Sequence, residues 1–171
     1  MNFKALDDKV KLYNDVKGKL SAEELKNWNQ NFSIEFTHNS TAIEGNTLSL
    51  LETKLVLEEK LAPGNKTIRE IDEIRNNNKA FEYVQSQVQS DKKLDEKSAK
   101  EIHRLVTENI LPGGSYRNVN VIITGSAHRP PDHELVPRQM SNFFKESSER
   151  ENLHPIEKAA WVHAEFVKIH P

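Results

Sequence analysis

Apolar residues recur at intervals of three and four over most of the chain and at intervals of two in one place. From Phe3 to Leu20, the positions Leu6, Val10, Tyr13 and Val16 fall on one side of a helix, which Gly18 is expected to end. A second helix opens at Ser21-Ala22-Glu23-Glu24, where the Ser21 hydroxyl can accept from a free amide while Glu24 reaches back. Trp28, Phe32, Phe36 and Ile43 supply its apolar stripe, and Gly45-Asn46 is expected to stop it because either residue tolerates a left-handed C-cap. The same box at Ser49 with Glu52 and at Thr67 with Glu70 predicts helices over about 49–61 and 67–89, separated by Pro63-Gly64. A fifth helix, about 95–110, turns Ile102, Leu105, Val106 and Ile110 inward before Pro112-Gly113-Gly114 breaks it.

The period of two falls in RNVNVIITGSAHRPP. There Val119, Val121 and Ile123 alternate with polar Asn118 and Asn120 ahead of Gly125-Ser126, which predicts one β-hairpin. Two more helices follow, one over about 137–150 and one opened by Pro155, whose fixed φ suits the first helical position. The expected fold class is mainly α with a single hairpin.

Composition changes this picture little. A chain of 171 residues, 36% hydrophobic and 29% charged, supports one ordinary domain with its own core. A formal charge of −2 gives no basic field, so nucleic acid is not an expected partner, and Tyr116-Arg117 and Arg129-Pro130 read as isolated, solvated positions. The amino terminus MNFKALDDKVKL has no apolar run suited to a signal peptide or a membrane span, and none comes later, so a cytoplasmic protein is expected. Without cysteine, disulfides, thiolate catalysis and Cys-ligated zinc are excluded.

Candidate chemistry sits in three segments. The first holds Ser40-x-x-x-Glu44-Gly45-Asn46, in which Ser40 and Glu44, four apart, share a helix face. The second is GGSYRNVNVIITGSAHRPP, and the third, NLHPIEKAAWVHAEFVKIHP, ends in His170-Pro171. His163 and His170 also share a face, but two turns separate them by about 10 Å along the axis. A single ion cannot join them, no HExxH occurs, and no metal ligand is assigned. His163 is instead expected to pack or hydrogen-bond near the site.

In this order the segments resemble the Fic (filamentation induced by cAMP) family in its form with an N-terminal inhibitory helix, from about Ser33 to Pro171. The resemblance implies a Fic-type helical domain over 33–171, with the hairpin as its flap, preceded by a helical segment over 1–32. It implies a protein adenylyltransferase that moves AMP from ATP to a Ser, Thr or Tyr hydroxyl of a target protein. His170 would be the general base, a task suited to an imidazole because its ordinary pKa lies near neutrality. The family motif continues as Phe, an acidic residue, Gly-Asn-Gly-Arg and a second arginine, of which only His170 and Pro171 stand here.

By the same resemblance, Ser40, Glu44 and Gly45 form the inhibitory motif. Glu44 would pair with the second arginine and fill the space the γ-phosphate needs. Thr124, Gly125, Ser126 and Ala127 would lie where the flap nears the nucleotide. The flap's exposed edge would take a target's extended segment as another strand. Mg²⁺ would be held by the motif's acidic residue, which this chain does not contain. The chain by itself is therefore expected to be catalytically silent. The alternatives are a Fic-like binding module and an enzyme that removes AMP, and a homodimer is compatible with either.

Overall fold

The computed structural model describes residues 2–171. Among them are seven α-helices and no β-strand: α1 Lys4–Lys17, α2 Ala22–Ile43, α3 Leu50–Glu58, α4 Ile68–Gln89, α5 Glu96–Thr107, α6 Val136–Glu149 and α7 Pro155–Ile169, with a 3-10 turn His133–Leu135 before α6. The chain is mainly helical, as the periodicity predicts.

Helix starts follow local chemistry. Ser21 N–H donates to Glu24 Oε2 at 2.8 Å while Glu24 N–H donates to Ser21 Oγ at 3.3 Å, so two amides that lie outside the helical ladder are satisfied reciprocally. Ser49 with Glu52 and Thr67 with Glu70 repeat the arrangement at α3 and α4. Asp95 caps α5 through Ser98. Pro155 occupies the first turn of α7.

Two helices stop earlier than their apolar periodicity suggests. α3 ends at Glu58 because Lys60 turns left-handed at φ 55° and returns the Leu61 N–H to Leu55 O at 3.2 Å. α5 ends at Thr107, with Asn109 left-handed at φ 62°. The following Gly113 lies so close to α5 that a Cβ there would meet the His103 carbonyl at 2.9 Å.

The hairpin does not form. Residues 117–124 are irregular and have no ladder, although the predicted turn is present: Gly125 has φ 80° and Ser126 N–H donates to Ile123 O at 3.1 Å. Two short strands without a third, or a helix to pack on, are marginal, and here Val119 and Ile122 remain exposed. Side chains make the connections that a ladder would have made. Asn120 Nδ2 donates to Asp132 Oδ1 at 3.1 Å, and His133 N–H donates to Asn120 Oδ1 at 2.8 Å. The flap is a laced loop.

The chain divides into two compact units, Met1–Phe81 and Glu82–Pro171. The first is centred on Leu48, Val56, Ile71 and Ile74, with Leu57 against them. The side of α2 that is buried carries Ile34, Thr37 and Thr41. The expected stripe of Trp28, Phe32 and Phe36 stays largely exposed and forms an aromatic ladder instead. Its ring centroids lie 5.8 Å and 6.3 Å apart, Tyr13 joins at one end and Phe81 at the other. The second unit is centred on Val136, Met140, Phe143 and Ile169, flanked by Tyr116, Phe144, Trp161 and Val162. No helix among the described residues is long and apolar enough to cross a membrane.

Candidate functional site

His170 is the C-cap of α7. Its amide donates to Phe166 O at 2.9 Å, and its own backbone turns left-handed, at φ 50° and ψ 59°. The ring of Pro171 disfavours the right-handed helical conformation in the residue before it, so α7 does not continue through His170. The imidazole is solvent-exposed at the helix end, whereas its neighbour Ile169 is anchored in the core. His163, expected to pack or hydrogen-bond near the site, is exposed on α7.

The flap segment is brought to this same helix end. Arg117 Nε donates to His170 O at 2.7 Å and Nη2 to Ile169 O at 3.4 Å. Its remaining donors serve the flap, Nη1 to Val119 O at 2.9 Å and Nη2 to Pro131 O. His128 Nε2 lies 2.8 Å from Lys168 O, and because a carbonyl only accepts, this ring nitrogen carries the hydrogen. Thr124, Gly125, Ser126 and Ala127 form the exposed tip of the loop. Arg117 is therefore not the solvated cation that the charge pattern suggests. Its acceptors lie up to 53 positions away in sequence, where no local pattern reaches.

Tyr116, next to it, packs on the Val136 and Met140 cluster with the Lys100 ammonium 4.2 Å from its ring centre. Burial pushes its phenol well above the ordinary value, and the Glu96 carboxylate adds to the effect, so the hydroxyl keeps its proton. An apolar groove of about 230 Å³ borders the site, lined by Ile102, Val106, Tyr116, Met140, Phe166 and Pro171. Of the residues expected on the inner face of α5, Ile102 and Val106 line this groove, and all four, Leu105 and Ile110 included, are only half-buried.

In the other unit, α2 ends in a Schellman arrangement. Asn46 N–H donates to Thr41 O at 3.1 Å and Gly45 N–H to Ala42 O at 3.0 Å, with Gly45 at φ 95°. Glu44 is the C-cap and its side chain is exposed, as is Ile43 at 83%, while Ser40 is half-buried one turn earlier. Asn46, expected only as a helix stop, is buried and holds the turn. Its Nδ2 donates to Glu70 O at 2.9 Å and to Glu73 Oε2 at 3.0 Å, and its Oδ1 accepts from Leu48 N–H at 3.1 Å. The signal for it was its short amide side chain directly after a glycine at a helix end. Among the described residues, no three His, Asp or Glu side chains converge as a metal site.

A mainly helical domain that presents a His-Pro pair at the end of a helix beneath a laced loop has known counterparts. Residues 93–171 match the Fic/DOC family. The protein adenylyltransferase Fic of Nematostella vectensis is 38% identical over 143 residues, covering 81% of this chain and 33% of that protein. That of Drosophila grimshawi is 32% identical over 140 residues, covering 81% and 29%. Among solved structures, a Fic-domain-containing signalling protein from Bacteroides thetaiotaomicron superposes with a TM-score of 0.82 at 28% identity, over 94% of this chain and 64% of that one. Fic-1 of C. elegans superposes with a TM-score of 0.75 at 26% identity, over 98% and 52%. Residues 93–171 are thus a Fic/DOC family domain, and the chain spans about a third of the length of the curated relatives it matches.

Proposed function

We propose that the protein transfers AMP from ATP to a hydroxyl of a target protein, with His170 as general base and Glu44 as an internal inhibitor. The observation that carries this reading is the mounting of His170: an exposed imidazole on a backbone whose amide and carbonyl are both already hydrogen-bonded. A base so placed can take the proton of a Ser, Thr or Tyr hydroxyl as that oxygen attacks the α-phosphorus. The new O–P bond forms, the bond to the β-phosphate oxygen breaks, and pyrophosphate leaves carrying its electron pair. Mg²⁺, when bound, would neutralise phosphate charge.

Support for inhibition by Glu44 comes from its presentation. The carboxylate stands exposed on a turn fixed by Gly45 and by Asn46, which suits a contact with a cation such as the second arginine of the family motif. Thr124 to Ala127, exposed at the loop tip, are assigned to the approach of nucleotide and target. With no strand in the flap, a docked segment would have to order it.

The test is incubation of the full-length gene product and its Glu44→Gly variant with labelled ATP. Glu44→Gly should label itself or a protein in lysate more strongly than the parent. No labelling by either protein would end the transferase reading.

A further inference from the structure

We propose that Arg117, assisted by His128, is a positioning residue for His170: side chains of the flap cap the carbonyl end of α7 and so fix the backbone on which the base is mounted. The proposal rests on the reading of His170 as base. A helix leaves its last four carbonyls without intrahelical donors, and a cation placed there also meets the negative end of the helix dipole. Three consecutive carbonyls of this end are served from the flap: Lys168 O by His128, Ile169 O by Arg117 Nη2 and His170 O by Arg117 Nε. The other Arg117 donors close on Val119 O and Pro131 O, toward the two ends of the loop. One planar guanidinium thereby ties the start of the flap, its end and the His170 turn together. Lysine has one donor nitrogen and no rigid fork, so it cannot reproduce this geometry.

The turn needs such a hold. A left-handed conformation costs a non-glycine residue about 1 kcal/mol or more. The next residue, Pro171, has no N–H with which to stabilise the turn. Arg117 contacts the backbone of His170, so its loss would let the base wander while leaving the ring chemistry intact. Misplacing a catalytic group by about 1 Å costs roughly 100-fold in rate.

Arg117→Gln, Arg117→Lys and His128→Ala are to be compared in the full-length Glu44→Gly protein. Arg117→Gln is expected to lower kcat for AMP transfer by about 100-fold with KM for ATP unchanged. Arg117→Lys should recover part of that loss. Amide hydrogen exchange should rise in residues 118–132 and 167–170 in Arg117→Gln and in His128→Ala, while α5 and α6 keep their protection. Unchanged kcat with unchanged exchange overturns the proposal. So does a rise in exchange spread over the whole of Glu82–Pro171, which makes Arg117 a general stabiliser. If Arg117→Gln does not fold, Arg117→Lys and His128→Ala carry both measurements. Exchange reads the cap without turnover, so a Glu44→Gly parent that transfers no AMP removes the transferase reading while the cap is still decided.

Discussion

Gly45 sits at φ 95° with nothing within 4 Å of where a Cβ would stand. The space is free and only the backbone objects, so Gly45→Ala should cost about 1 kcal/mol, with Gly45→Asn costing less because asparagine visits the left-handed region more readily. Urea midpoints of the two variants check this, and an alanine variant as stable as the parent would show that the Schellman turn is not held in this form. The glycine was legible as a helix stop because its role depends on a torsion that any glycine permits. The role of Asn46 was only half legible: its tendency to end helices is local, but its acceptors Glu70 O and Glu73 Oε2 are 24 and 27 residues away. Arg117 lies at the far end of that scale. Its acceptors are all carbonyls, which every residue carries, so no residue type in the sequence marks them.

At the level of elements, the helix starts were readable because a capping box is complete within four residues, whereas the flap was misread because a ladder needs a partner that alternation cannot supply. The box at α4 also carries a pH signature. Glu70 Oε1 accepts the Thr47 hydroxyl at 2.6 Å and the Thr47 amide at 3.2 Å, and Oε2 accepts the Thr67 hydroxyl at 2.8 Å and the Thr67 amide at 2.9 Å. These donors, the Thr47 hydroxyl foremost, hold its carboxyl down at about 2 from an ordinary 4.5. A depressed folded value means the native state prefers the carboxylate. Its stabilisation is present in full above the ordinary value and is lost as pH falls toward about 2. Glu24, Glu52 and Asp95 are lowered by their own boxes, so acid should weaken several helix starts together. Glu70→Gln isolates one of them: its urea midpoint should lie below the parent's at neutral pH, and the gap should close in acid. A gap that stays constant across that window would show that the ionised carboxylate is not the source.

At the scale of the whole molecule, apolar periodicity identifies which faces are greasy and not which of them are buried. The aromatics of α2 were legible as an apolar stripe and the apolar residues of α5 as an inner face, yet the first stays exposed and the second half-buried, while Thr37 and Thr41 went unmarked although both are buried. Family resemblance was legible because it rests on ordered motifs, and it placed the His-Pro pair at a helix end before any packing was known. What decides stability in the second unit is the small cluster of Val136, Met140, Phe143 and Ile169, which joins α6 to the last turn of α7 and so to His170. Met140 is 0% exposed there. Met140→Ala removes buried methylenes and the thioether and leaves a cavity, at a cost of about 2–5 kcal/mol. Against a total stability on the order of 5–15 kcal/mol for a domain, that is a large fraction. A lower urea midpoint should accompany faster amide exchange in α6 and α7, reaching the turn that carries His170. Met140→Leu, which conserves volume, should cost less than about 1.5 kcal/mol. Were alanine to cost no more than leucine, the cluster around Met140 would not be the support of the helix end, and the hold on His170 would fall to the flap alone.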